Sequence, residues 1–256
     1  MTTPLFFCIT HKQPEWPLPD FLTMVGTGGY VPERGIALSQ RYPELAFQNE
    51  HLGEFAALFA IRRMLEGQPP GSMFGICHYR RFALTQPLGE MRGFNSYAHP
   101  SLLAQARPEH FFGEGNKIIV PSRVHFEGSV LRQYAAVAEA RDIMMYFGAA
   151  VDAGAVDQNA AADFLSQNSF IPACTAAYLP AGWFVDIVTR VELATNQFMK
   201  TVHIERDGQQ KRNAGFCAER FHSMLLQQYL DQYGWENVIS TPMTMLTDDG
   251  ARNAGN

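Results

Sequence analysis

The sequence predicts an α/β fold: a Rossmann-type, mostly parallel sheet flanked by helices, in a single domain over residues 1–246. Three observations carry that expectation. Short apolar runs recur along the chain, bounded by Pro and Gly, as buried parallel strands are. Segments of helical period lie between them, the alternation that builds a parallel sheet. Several runs end in polar or basic clusters, and in an open α/β sheet the ligand crevice lies beyond the carboxyl ends of the strands. A chain of 256 residues, 46% hydrophobic and 18% charged, is long enough for one large domain of this kind.

Charge and cysteine usage narrow the class. A formal net charge of −5 argues against nonspecific nucleic-acid binding, which calls for a basic surface. Cys8, Cys77, Cys174 and Cys217 are scattered with no CxxC spacing. They read as buried thiols of a reducing, cytoplasmic compartment and not as disulfides or a zinc site. No apolar run reaches the length of a membrane span, and the first residues do not read as a signal peptide.

Taken in order, Leu5 to Thr10 is the first strand, running into Thr10-His11-Lys12. Those polar residues either meet a ligand or form a plain exit turn. Pro14 to Pro19, with Trp16 inside it, is an extended connector. Gly26 to Gly29 reads as a loop, with neither the GxGxxG nor the Walker pattern. Gln48 to Glu66 is expected to be one helix. Leu52, Phe55, Ala56 and Phe59 lie on its core face, Asn49 caps it, and Glu54 sits early enough to favour the dipole or to reach a functional group.

Met73 to Phe82 is the central stretch: an apolar strand that ends in His78, Tyr79, Arg80 and Arg81. Two adjacent guanidiniums at a strand end suit an anionic ligand, since each can fork onto phosphate oxygens. They also fit a solvated pair leaving the sheet. Ala83 to Gly115 lacks clean periodicity and reads as a long excursion with short helical pieces. Lys117 to Pro121 is the next strand, Gly128 to Tyr146 a helix, Gln158 to Gln167 a shorter one, and Cys174 to Leu179 another strand. Pro180 opens a helix to about Met199 with a core face of Trp183, Phe184, Ile187, Val188 and Val191. After a polar loop over His203 to Lys211, a helix opens near Arg212 and runs to about Tyr233, with Glu219 and Arg220 in its first turns. A cation so placed wants an anionic partner. Asn237 to Thr241 is the last strand, and the tail from Thr247 reads as flexible.

Missing motifs constrain the chemistry. The chain has no Asp-x-Asp, HExxH or GxSxG. A bound diphosphate would then be met by arginine, lysine or histidine and not by a metal.

Four blocks together give the chain a resemblance to the bacterial capsular-polysaccharide and O-antigen glycosyltransferases, long listed as a domain of unknown function, which include galactofuranosyltransferases. They are Thr10-His11-Lys12; Asn49 with Glu54; Gly75-Ile76-Cys77-His78-Tyr79-Arg80-Arg81-Phe82; and Arg212 with Gly215-Phe216 and Glu219-Arg220. The resemblance implies a GT-A-like fold and a glycosyltransferase. A nucleotide-sugar donor, a UDP-sugar, would be held by Thr10, His11, Lys12, Asn49, Glu54, Tyr79, Arg80, Arg81, Arg212, Gly215, Phe216 and Arg220, with no metal or other cofactor. The acceptor would be a glycan or lipid-linked glycan, and the enzyme would be cytoplasmic, able to associate peripherally with the inner face of the plasma membrane. Where the family carries Asn-Ile-Ser and Asn-Met-Phe, this chain has Glu44-Leu45-Ala46 and Thr175-Ala176-Ala177. Both departures bear on which sugar is moved.

For an inverting transfer Glu219 is the first candidate base and His78 the second. Alternatively, Glu219 and Arg220 knit the helix to the sheet through buried ion pairs. Two readings from other classes compete: a catalytically silent nucleotide-sugar-binding or scaffold protein, and a phosphoesterase using His78 and His11, which would call for a denser metal-ligand cluster.

Overall fold

The computed structural model describes residues 4–172, 175–202 and 206–247. Strand β1 is Leu5–Thr10, as its apolar run requires. Two short strands follow that the sequence did not signal: β2, Thr23–Gly26, which ends inside the expected glycine loop, and β3, Gly35–Ala37. Then come α1 (Leu38–Arg41), α2 (Pro43–Phe47), α3 (Asn49–Leu52) and α4 (Phe55–Leu65).

The single helix expected over Gln48 to Glu66 is therefore broken. The break falls at Gly53, whose φ of 57° is left-handed and favours glycine. Asn49 does not cap a helix. It is the first residue of α3, and no side chain caps that helix. The apolar spacing survived the break because Leu52, Phe55, Ala56 and Phe59 all reach the same core.

The central strand is β4 (Met73–His78), turning back at once into β5 (Arg81–Phe82). The long excursion holds a hairpin, β6 (Glu90–Arg92) and β7 (Asn95–Ala98), and a short helix α5 (Pro100–Ala104). Strands β8 (Ile118–Pro121) and β9 (Val124–His125) follow. The helix expected over Gly128 to Tyr146 is two, α6 (Val130–Ala135) and α7 (Ala140–Asp152), because Glu139 takes extended backbone before α7. Next are α8 (Gln158–Ser166), β10 (Ser169–Phe170) and β11 (Ala177–Pro180). Cys174, expected to start that last strand, lies outside the described residues, as does the tail beyond Thr247. The chain closes with α9 (Ala181–Thr201), α10 (Asn213–Tyr233), β12 (Val238–Thr241) and an unforeseen β13 (Met243–Leu246).

Among the described residues the main sheet has 11 strands. β3, β2, β1 and β4 run parallel side by side. β11 lies antiparallel between β4 and β8, and β12 pairs in parallel with β8. From the end of β4 the sheet continues through β5, β13, β7 and β6. Side-chain alternation divides the core. Phe7, Ile9, Phe74 and Ile76 face the helical layer, where they join residues of α4, α7, α9 and α10. Phe6, Cys8, Cys77 and Tyr79 face the other way, beneath Leu84, Leu103 and Phe111 of the excursion. This packing brings the ends of β1, β2 and β4 to one edge, with Thr10 opposite Gly26 and Ile9 opposite His78.

Candidate active site

At the edge formed by β1 and β4 the predicted blocks meet. Thr10 is fully buried, and its hydroxyl donates to the Lys12 carbonyl, so its side chain shapes the turn. Lys12 is paired with Glu15 at 2.7 Å. His11 stands exposed at the rim, its ring centre 5.4 Å from that of Tyr79 and 6.3 Å from that of His78. Partial burial lowers the His11 pKa, and Arg80, Lys12 and Arg212 lower it further while Glu54 opposes them. The first and fourth blocks are thus within electrostatic reach of each other across the edge.

Glu54 is the hub of the second and third blocks. It precedes α4, but its carboxylate makes no capping bond. One oxygen accepts from Arg81 Nη1 at 3.0 Å and lies 3.8 Å from His78 Nε2. The other accepts from the Thr175 hydroxyl at 2.9 Å. His78 is nearly buried, and burial, followed by Arg81, His11 and Arg80, lowers its pKa to about 3. It is uncharged at neutral pH. Its Nδ1 accepts the Arg80 backbone N–H at 3.3 Å, which assigns the ring proton to Nε2 on the side of Glu54.

Arg80 and Arg81 are adjacent in sequence and part company in space. Arg81 turns to Glu54. Arg80 is exposed, its guanidinium carbon 5.2 Å from the Tyr79 ring centre and 5.9 Å from that of Trp16.

The fourth block closes a cleft of about 230 Å³ lined by Leu52, Gly53, Glu54, Phe55, Arg81, Arg212, Gly215, Phe216 and Glu219. Gly215 is required here for a close approach, but to protein: a Cβ at this position would lie 2.7 Å from the Leu52 carbonyl oxygen. That contact seats the start of α10 against the end of α3. Asn49 is set apart from this cleft, beside the loop of Gly28, where an added Cβ would come 3.7 Å from its Nδ2. Glu219 lies in the second turn of α10 and pairs with Arg220 at 2.7 Å.

Arg220 is not brought into the cleft. It is 6% exposed, donates to Gln133 Oε1 and the Phe216 carbonyl, and lies over the rings of Tyr134 and Phe170. The arginine therefore ties α10 to α6 and β10 through a neutral hydrogen bond and ring contacts, its ion pair being to its own neighbour in α10, while Glu219 itself remains at the cleft wall. Sequence reasoning tied Thr175 only to the choice of sugar and not to Glu54, 121 positions away, and it placed Trp16 in a connector without its contacts to Tyr79 and Arg80. Among the described residues no group of three or more His, Cys, Asp or Glu side chains is placed to hold a metal ion, and no helix is long and apolar enough to cross a membrane.

The chain adopts a GT-A-like fold, with the cationic and acidic cleft at the edge of its sheet. The apo structure of WbbM, a bifunctional glycosyltransferase, superposes on it with a TM-score of 0.69 at 15% identity. The match covers 100% of this chain and 48% of that one, so the chain spans about half of WbbM's length. No family model matches the chain, and no curated protein sequence does.

Proposed function

We propose that this protein is a glycosyltransferase that moves a sugar from a UDP-sugar donor to a glycan or lipid-linked glycan, with galactofuranose the candidate sugar. The transfer is metal-independent and inverts the anomeric centre. The observation that carries this reading is the convergence of Glu54, Arg81, Arg212, Gly215, Phe216 and Glu219 on one cleft, beside His11 and Arg80 at the ends of β1 and β4. The fold likeness to WbbM supports the reaction class.

The chemistry follows from the side chains. An acceptor hydroxyl attacks the anomeric carbon as the bond to the donor phosphate breaks, and its proton passes to a base. Glu219 is the proposed base, a carboxylate at the cleft wall. His78, with its pKa depressed to about 3, is a poor proton acceptor at neutral pH and stays a neutral donor toward Glu54. The departing diphosphate gains charge, which Arg80 and Arg212 are free to meet; neither pairs with an acidic side chain among the described residues. Arg81 can join them by leaving Glu54 to Thr175 and His78. Fixed cations aimed at developing charge do the work a metal would do elsewhere.

Incubation with UDP-sugars, with and without EDTA, tests the proposal. UDP should raise the melting temperature, UDP release should accompany sugar transfer, and EDTA should leave the rate unchanged. Loss of activity in EDTA that added divalent metal restores would overturn the metal-independent mechanism. No binding of any nucleoside diphosphate sugar would overturn the function.

A further inference from the structure

We propose that Trp16 is a positioning residue: its indole, stacked on Tyr79, holds Arg80 with its charge uncommitted and its N–H edges turned to the donor's phosphates. The inference rests on the donor-binding reading above and adds a residue that none of the four blocks contains.

The two arginines at the end of the central strand are held by different means. Arg81 is matched by the Glu54 carboxylate at 3.0 Å. Arg80 makes no salt bridge among the described residues, although its charge, after the hydrogen bond and charge of Lys12, helps to lower the pKa of Glu15. The nearest acid to Trp16 in the chain, Glu15, is engaged by Lys12 at 2.7 Å. What Arg80 has instead is two aromatic rings. Tyr79 and Trp16 stack with ring centres 6.0 Å apart and planes 22° apart, and the guanidinium lies within 6 Å of both centres.

That difference has a chemical consequence. A carboxylate takes up the N–H donors of an arginine and neutralises its charge. A ring attracts the cation through its quadrupole and leaves both the charge and the in-plane donors available. An arginine held by rings is therefore ready for a bidentate contact with phosphate. The platform is itself rigid. Tyr79 is 2% exposed, and its backbone N–H donates to the Ile9 carbonyl of β1 at 3.0 Å. Trp16 is carried between Pro14 and Pro17, whose fixed φ lowers the cost of ordering the connector. Its ring packs with Leu18 and Phe21 against the core under the sheet.

The test is calorimetric binding of UDP and of inorganic diphosphate to the full chain. Variants are Trp16→Leu, Trp16→Phe, Arg80→Ala and the double variant Trp16→Leu/Arg80→Ala. Trp16→Leu should weaken both ligands about fivefold, the scale of one cation–π contact, and Trp16→Phe should recover most of that loss. In the Arg80→Ala background, Trp16→Leu should add nothing, because the indole acts through the guanidinium. Unchanged affinity in Trp16→Leu, or an equal loss with and without Arg80, overturns the inference. If Arg80→Ala weakens binding while Trp16→Leu does not, the donor reading stands and the platform fails. If Arg80→Ala binds as the parent does, both fail. Should Trp16→Leu not fold, the protein grown with fluorinated tryptophans keeps the shape and weakens the ring quadrupole. Its affinity should then fall with each added fluorine, and should not in Trp16→Phe. A flat response overturns the platform.

Discussion

Two acid–arginine pairs of nearly the same length serve different ends. Glu54 and Arg81 meet at 3.0 Å with side chains 28% and 37% exposed, and both line the cleft. Asp142 and Arg206 meet at 2.7 Å, but Asp142 is fully buried in α7. It accepts a second bond from Arg206 at 3.2 Å and one from Asn213 Nδ2 at 3.1 Å. Asn213 is the first residue of α10, so the sealed pair anchors the helix that delivers Gly215, Phe216 and Glu219 to the cleft. Water can replace either partner of the open pair, so it can exchange partners at modest cost. The sealed one cannot do so freely: Arg206 is 22% exposed, but losing it strands the fully buried Asp142 carboxylate in the core. The distance alone does not distinguish them; solvent access does.

The largest effect should come from breaking the sealed pair. Arg206→Ala is expected to cost about 3–5 kcal/mol of stability, the scale of a buried charge left without its partner. Arg81→Ala should barely shift a denaturant melt and should instead weaken UDP binding. Chemical denaturation and calorimetry on both variants check this. Equal stability losses would mean that burial is not what separates the two pairs.

Next in size is a substitution that tests the open side alone. Glu219→Gln keeps the shape and loses proton acceptance. Sugar transfer should fall by about 10²-fold or more, the usual scale for losing a general base, while UDP affinity holds. Glu219 also pairs with the buried Arg220, so a melting curve belongs beside the rate. A rate within a few-fold of the parent removes Glu219 from the mechanism. A lost fold with normal turnover of the remainder would place the residue with the sealed pair.

The sequence shows the two kinds of pair unequally. The elements with long apolar runs or clear periodic faces were legible: β1 and β4 fall where their runs lie, and α9 and α10 within a residue or two of their periodic faces. The short strands β2, β3 and β13 were not: Thr-Met-Val-Gly, Gly-Ile-Ala and Met-Thr-Met-Leu hold no unbroken apolar run like the Ile-Ile-Val of the equally short β8, and they take their form from neighbours far away in the chain. The break at Gly53 was hidden because α3 and α4 bury their apolar residues in one core. At the site, the residue types were legible and the partners were not. Arg81 and Glu54 stand 27 positions apart, and Thr175 and Glu54 121 apart. Nothing local in the sequence tells Arg80 from Arg81, or marks Arg220 as a buried tie and Arg212 as a lining residue.

The smallest effect, per pH unit, separates the open region from the sealed one by titration. His78 and His222 are both nearly buried, and both have lowered pKa values, about 3 and about 4. Burial leads in each case. For His222 it is the resolved cause, whereas for His78 the charges of Arg81, His11 and Arg80 add to it. In the unfolded chain each imidazole takes its proton near the ordinary 6.5, so below that pH the unfolded state binds more protons. The stability each neutral histidine contributes is complete above pH 6.5 and is lost as pH falls toward its folded value, at about 1.4 kcal/mol per pH unit. Thermal melts between pH 7 and 5 should therefore fall steadily, and His222→Phe should lessen the slope if it folds as the parent does, leaving the contributions of His78 and His11. UDP then divides the two sites. Its diphosphate offsets Arg80 and Arg81, so His78 should titrate higher in the complex, while His222, with no ligand near it, should keep its value. Imidazole NMR resonances followed against pH, with and without UDP, report both at once. A shift at neither ring, or the same shift at both, would mean that the anion does not enter beside Arg80 and Arg81.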